Sequence, residues 1–304
     1  GFLPLFLPGV VAQPPLDGVA SGSVPFSDVI TNAANDLSPT TDDRPFFFQF
    51  ERGIPQALQP LLWGALVVVL LGIVLVGMHQ RRAAGNAPQL DAGTRQGRLA
   101  LTPLYFAGLG LGFILVEIGV IQQTRLFLGH PTIAITVALM TLLIGGGIGS
   151  GLAGRLLSPA QDQGASGEAS QAAPAVSAWP LLAILLLIAL WLLLWPVLED
   201  QFAASPLLVR ILLVTAALLP LGLVMGMPFP LGLQAVAGWG PGQVPLAWSV
   251  NGVMSVVGSI LAVTLAVLLG YTIVLLAGGV AYALTAAAVL FYRRRHVPSG
   301  KVFE

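Results

Sequence analysis

The chain has no cysteine and few charged residues. Only 9% of its 304 residues are charged, against about 25% in an ordinary soluble domain. The lack of cysteine excludes disulfide frameworks, thiolate metal sites, iron–sulfur clusters and cysteine nucleophiles. The 13 basic and 13 acidic residues cancel, so no overall basic field indicates a nucleic-acid partner. This composition excludes a single soluble globular domain.

Histidine is also scarce. His79, His130 and His296 lie far apart and do not have the spacing of metal ligands, so we predict no metal site. The glycine-rich stretches are not preceded by a strand or followed by lysine, which excludes a phosphate-binding loop there. We therefore expect no cofactor and no catalytic residue in this chain, and the sequence leaves open whether the protein belongs to an enzyme.

Long apolar runs dominate the sequence, of which 56% is hydrophobic. Seven runs have the length of a membrane-spanning helix: 61–78, 101–121, 132–152, 179–197, 206–225, 246–269 and 271–292. We predict an all-α polytopic membrane protein with about seven transmembrane helices in a lipid bilayer. Residues 1–57 are expected to form a short extramembrane segment, 58–295 the transmembrane domain and 296–304 a polar tail.

The two sides of these spans carry unequal numbers of basic residues. One side carries nine, namely Arg81, Arg82, Arg95, Arg98, Arg155, Arg293, Arg294, Arg295 and Lys301. The other side carries Arg44, Arg52, Arg125 and Arg210. Because the basic side is normally cytoplasmic, we predict that the N-terminus lies outside and the C-terminus inside.

The second span contains one carboxylate, Glu117, in the segment 103–123. A charge inside a span costs roughly 2.5–3.5 kcal/mol near the bilayer centre and is usually paired or turned toward protein. Four polar residues follow at the outer end: Gln122, Gln123, Arg125 and His130. They predict a polar cluster at the mouth of a cavity. Glu117 either accepts a proton or cation there or fixes the helix through a hydrogen bond or ion pair.

Glycines at G-x-x-x-G spacing mark the second and third spans. The pairs are Gly108/Gly112, Gly145/Gly149 and Gly147/Gly151. Such pairs allow the backbones of two helices to approach closely. We expect the second span to pack mainly on the third through these glycines.

Two later features mark a candidate binding region. Pro228 and Pro230 predict a broken or ended helix, either lining a cavity or forming a plain terminus. Asn251, Ser255 and Ser259 recur every four residues and so share one helix face. Their polar groups either join helices or, with the proline break, line a central cavity.

The segment 38–50, SPTTDDRPFFFQF, places Asp42, Asp43 and Arg44 just before three phenylalanines. One interpretation is a helix cap followed by aromatic anchors at the headgroup level. The other is a substrate or partner site built on these three charged residues.

Three segments of the chain together resemble the membrane-embedded spermidine-synthase-like proteins of bacteria. They are the segment 38–50, LYFAGLGLGFILVEIGVIQQTRLFLGHP and MGMPFPLGL…AWSVNGVMSVVGS. In that family a Rossmann-type aminopropyltransferase-like domain is fused to polytopic membrane regions, and GFLPLFLPG looks like the end of that domain. The resemblance implies a multi-pass protein of the bacterial inner membrane whose partner is a soluble synthase-like domain or other membrane subunits. The family's catalytic and nucleotide-binding residues cannot be carried over to any position here.

Three functions follow as hypotheses. The first is a membrane module that anchors a synthase-like domain or forms a conduit for a small cationic or amphipathic substrate, with Glu117 as the acidic contact. The second is a secondary transporter of a small solute such as a polyamine. The third is a structural subunit of a larger membrane complex.

Overall fold

The computed structural model of the chain describes residues 21–23, 25, 27–28, 40–46, 53–85, 92–156, 177–240 and 242–296. Most of the predicted extramembrane segment 1–57 lies outside these residues, as does the tail beyond 296. The predicted divisions of the chain therefore stay predictions.

The described residues form eight α-helices and no β-strand. The helices are α1 (Gln59–Gly85), α2 (Ala92–Leu128), α3 (Pro131–Leu156), α4 (Trp179–Phe202), α5 (Leu207–Met225), α6 (Pro228–Ala237), α7 (Gln243–Leu269) and α8 (Tyr271–His296). Seven stretches are long and apolar enough to cross a membrane, with α5 and α6 together forming one of them. The predicted fold class and all seven predicted spans are confirmed. Most of the helices extend several residues beyond the predicted ends, because polar residues continue the helix after the apolar run stops.

Helix α2 lies at the centre of the bundle and α1 at its edge. More than half of the apolar window of α2 is buried, against 6% of the window of α1. Helix α2 packs most extensively on α7 and α8 and also contacts α3, α5 and α6. Most of the later helices therefore pack directly against the helix that carries Glu117, whereas α4 packs mainly on α8 and α5.

The glycines of α2 pack on α8 and α7, not mainly on α3 as predicted. A Cβ atom at Gly112 would lie 3.0 Å from the Tyr282 ring, and one at Gly108 would collide with the Thr285 hydroxyl. Gly110 lies against the backbone carbonyl of Asn251 in α7. The prediction about partners was wrong because Gly145 and Gly149 of α3 pack on α5 instead.

Helix α3 packs its glycines on α5. A Cβ atom at Gly145 would come within 2.9 Å of the Leu223 backbone nitrogen, and one at Gly149 would collide with the Leu223 carbonyl. Added Cβ atoms at Gly147 and Gly151 would meet nothing within 4 Å. Two of the three predicted glycine pairs therefore bring helices together, and the third faces open space.

The fifth span is interrupted at Gly226 and Met227. Pro228 begins α6, a position that suits proline because the first helical residue needs no N–H donor. Gly226 lies directly against the backbone of Gly146 in α3. The prolines therefore do not end the span, as one interpretation expected. They start a second helix of ten residues that belongs to the same candidate span.

Candidate ligand cavity and polar network

A cavity of about 450 Å³ lies between α2, α3, α7 and the α5–α6 break. This volume is within the range of small-molecule sites, about 300–1,000 Å³. Its lining is mostly apolar and includes four aromatic and two polar side chains: Phe113, Phe229, Trp248, Tyr282, Asn251 and Ser255. The ring of Phe229 contacts that of Trp248 edge to face, with centroids 4.7 Å apart. The predicted Asn251 and Ser255 thus meet the broken span at one cavity.

Tyr105 secures the broken span from α2. Its hydroxyl is buried and donates a hydrogen bond to the Pro228 carbonyl at 2.7 Å. The neighbouring Phe106 contacts Phe229 edge to face, with centroids 5.4 Å apart. The start of α6, where Pro230 occupies the first turn, is therefore held against α2 by both a polar and an aromatic contact.

Asn251 and Ser255 also join α7 to α2. The Asn251 side-chain amide donates to the Phe106 carbonyl at 3.3 Å. The Ser255 hydroxyl lies 2.9 Å from the Asn251 carbonyl and 3.4 Å from that of Gly110, and Ser259 donates back to the Ser255 carbonyl at 3.1 Å. The two interpretations of this polar face are compatible, because the same side chains that join the helices also line the cavity.

Glu117 is half-buried and forms no hydrogen bond or ion pair with the described part of the chain. It follows the lining residues Phe113 and Ile114 by four and three positions. It therefore lies on the same face of α2, about 6 Å further toward the C-terminal end of the helix. Tyr282, a lining residue of the cavity, is close enough for Glu117 to act electrostatically on its hydroxyl. An unpartnered carboxylate thus stands one helical turn from the cavity.

The residues expected around Glu117 bind other groups. The Arg125 guanidinium donates to the Gln122 side-chain oxygen at 2.6 Å, Gln123 contacts other helices, and His130 is exposed. Gln122 and Gln123 follow Glu117 by five and six positions, which places them on other faces of the helix. The predicted polar cluster around Glu117 is therefore not formed.

A separate polar network connects four elements at the end of the bundle where α8 begins. Asp43 accepts hydrogen bonds from the Thr272 backbone N–H and hydroxyl, both at 2.8 Å. The Thr272 hydroxyl lies 3.3 Å from the side-chain nitrogen of Gln123, and the Gln123 oxygen accepts from the Trp191 indole at 2.8 Å. The network joins the N-terminal segment to α8, α2 and α4.

The charged residues next to this network act on helix ends. The Arg44 guanidinium donates to the Val267 carbonyl near the end of α7 at 2.7 Å, while Asp43 lies at the start of α8. Both positions are favourable for the helix dipole. Gly270 between these helices has a φ of 93°, and a Cβ atom there would collide with the Asp43 carboxylate. Asp43 is thus a helix cap, as one interpretation expected, although the helix it caps is α8.

Asp42 differs from its neighbours, because its side chain is exposed. It forms no hydrogen bond with the described residues, and its charge is close enough to Glu199 of α4 for the two carboxylates to repel each other. The structure therefore separates three charged residues that the sequence presents as one motif.

Sequence reasoning missed most of the aromatic lining and two members of the polar network, Thr272 and Trp191. Aromatic residues in an apolar span carry no local signal that separates a cavity wall from a lipid-facing surface. Thr272 had a weak signal, because it directly follows the helix start after Gly270. Trp191 is one of few potential donors in its span and could have been singled out for that reason.

Among the described residues, no group of three or more histidine, aspartate or glutamate side chains is placed to hold a metal ion. Comparison of the chain with models of protein families, with curated proteins and with solved structures gave no match. The functional argument therefore depends on the residues and contacts described above.

Proposed function

We propose that the chain is the membrane module of a spermidine-synthase-like protein of the bacterial inner membrane, and that its cavity between α2, α3 and α7 binds a small organic cation with an apolar part. The family part of the proposal rests on the resemblance of three sequence segments, which contact one another in the folded chain. The second and third meet where Tyr105 contacts Pro228 and Asn251 contacts Phe106. The first and second are linked through Thr272 by Asp43 and Gln123.

The chemistry of the cavity suggests the substrate class. Aromatic faces such as those of Trp248 and Phe229 attract organic cations and also pack against alkyl groups. The observation that carries the proposal is Glu117, a half-buried carboxylate without a partner among the described residues, on the face of α2 that lines the cavity. A ligand amine would supply the missing counter-charge, while its methylene groups would contact the aromatic walls.

The interrupted span favours a second candidate, a secondary transporter of a small solute such as a polyamine. Transporters commonly bind substrate beside discontinuous helices inside the membrane, and the α5–α6 break forms part of the cavity wall. A conduit that serves an attached synthase-like domain would use the same cavity without moving substrate across the bilayer alone. In either case, the proposed partner of the chain is a soluble synthase-like domain or another membrane subunit.

Binding of labelled spermidine to the protein in lipid nanodiscs tests the proposal. Glu117→Gln should weaken binding about tenfold or more, because a hydrogen bond to a charged group contributes about 1.5–3 kcal/mol. Glu199→Gln is the matched control, since Glu199 also lies in a span but belongs to α4, which contributes no residue to the cavity lining, and it should bind as the wild type does. Equal affinity of wild type and Glu117→Gln, with both folded, would contradict the proposed site.

Liposome uptake separates the candidate functions. Spermidine uptake that Glu117→Gln abolishes would establish the transporter, whereas binding without uptake would favour the conduit. Absence of spermidine binding by the wild type, together with stable co-purification of other membrane subunits, would favour a structural role.

A further inference from the structure

A second and larger cavity, about 720 Å³, lies between α1, α2 and α7. We name it the α1 groove and define it by the facing residues Val69, Gly72, Val76 and Gln80 of α1 and Ser249 and Val253 of α7. We propose that the α1 groove binds one acyl chain of an anionic phospholipid, whose phosphate contacts Arg81 and Arg82. This inference is independent of the proposed function, because the groove and the cavity between α2, α3 and α7 have different linings.

The length of the groove matches a lipid chain in one leaflet. Its α1 wall runs from Val69 to Gln80, which is about 17 Å at 1.5 Å per residue. One leaflet contributes about 15 Å to a hydrocarbon core of roughly 30 Å. The groove thus extends from the end of α1 to about the middle of the bilayer, as an acyl chain does.

The side chains of the protein leave this space open. A Cβ atom at Gly72 would meet nothing within 4 Å. Helix α1 is held near its C-terminal end by a hydrogen bond of 2.7 Å from the Gln80 side chain to the Leu99 carbonyl of α2. Between Val69 and this hydrogen bond, the groove separates α1 from α2. An unfilled apolar gap forfeits dispersion contacts, so hydrocarbon from the bilayer gains by occupying it.

The end of the groove carries positive charge. Arg81 and Arg82 directly follow Gln80, are exposed, and form no hydrogen bond or ion pair with the described residues. His79 also lines the groove, and its Nε2 atom lacks a hydrogen-bond partner in the part of the chain that the structure describes. Basic residues at a membrane surface attract anionic lipids. This charge favours a lipid with an anionic headgroup over a purely apolar partner helix.

Native mass spectrometry and thermal unfolding with added phosphatidylglycerol or phosphatidylcholine test the inference. The wild type should retain phosphatidylglycerol and be stabilised more by it than by phosphatidylcholine. Gly72→Leu and Ser249→Leu fill the groove from opposite walls and should reduce retained lipid at least threefold. Gly64→Leu is the matched control, because Gly64 is exposed on α1 outside the groove lining and also has open space around it.

The headgroup and the chain are tested separately. The double variant Arg81→Gln/Arg82→Gln should lose the preference for phosphatidylglycerol while it still retains lipid. The inference would be overturned if the wild type retained no lipid, if Gly72→Leu retained as much as Gly64→Leu, or if the arginine variant kept the preference. A protein that co-purifies with the wild type but not with Gly72→Leu, in place of lipid, would also overturn it. Gly72→Leu should bind spermidine normally, so failure here leaves the proposed function intact.

Discussion

Asp43 and Thr272 are 229 residues apart in the sequence, yet the Asp43 carboxylate accepts two hydrogen bonds of 2.8 Å from Thr272. A third bond runs from the Tyr271 N–H to the Asp43 carbonyl at 3.0 Å. The first N–H groups of any helix have no partner inside the helix. The N-terminal segment therefore supplies the partners that the start of α8 needs.

Replacing Asp43 should destabilise the protein through this contact. Asp43→Ala removes the cap of α8, and losses of such caps cost about 0.5–2 kcal/mol. Asp42→Ala is the matched control, since the exposed Asp42 makes no hydrogen bond with the described residues and lies near Glu199, so its loss should be neutral. Thermal unfolding in detergent micelles measures both variants. Equal destabilisation by the two would show that the capping contact is not the cause.

The glycines of α3 predict opposite effects of the same substitution. Gly149→Ala places a Cβ atom against the Leu223 carbonyl, and overpacking of this kind costs about 1–3 kcal/mol. Gly147→Ala meets open space, and alanine is the better helix former by about 1 kcal/mol. We expect a lower unfolding temperature for the first variant and an unchanged or higher one for the second. A similar shift for both would contradict the packing of α3 on α5.

The two buried tyrosines next to the cavity should respond differently to loss of the hydroxyl. Tyr105→Phe removes the hydrogen bond to the Pro228 carbonyl, which is worth about 0.5–1.5 kcal/mol. Tyr282→Phe removes a hydroxyl that forms no hydrogen bond with the described residues, so stability should be retained. Thermal unfolding in micelles checks both. Unchanged stability of Tyr105→Phe would mean that the break at Gly226 is held in place by packing alone.

The spans were predictable from the sequence because length and apolarity are local properties of a segment. The break was partly predictable, since Pro228 has no N–H to donate to the carbonyl four residues upstream. The continuation as α6 was not, because a proline is as compatible with starting a helix as with ending one. Contacts between Gly226 and Gly146 and between Tyr105 and Pro228 decide between these outcomes, and they belong to the assembled bundle.

The residues of the candidate site were likewise predictable only in part. Asn251 and Ser255 were identified by their spacing, and the structure places both at the cavity. Asp43 and Arg44 were identified as well, but their partners are backbone groups of α7 and α8, which have no signature in a sequence. Glu117 was singled out by the cost of its charge, whereas its separation from Gln122 and Gln123 follows from helix geometry that the interpretation did not apply.

The orientation of the bundle gives the last prediction. Because nine basic residues lie on the side where α8 ends and four on the other, a reporter fused after Glu304 should be active in the cytoplasm. A reporter inserted within 158–177, between the third and fourth spans, should lie on that same side, and one fused before Gly1 on the opposite side. If each of the three reporters lay on the side opposite to the one predicted, only the charge rule would be contradicted. Two termini on one side would contradict the count of seven spans, because an odd number must place them on opposite sides.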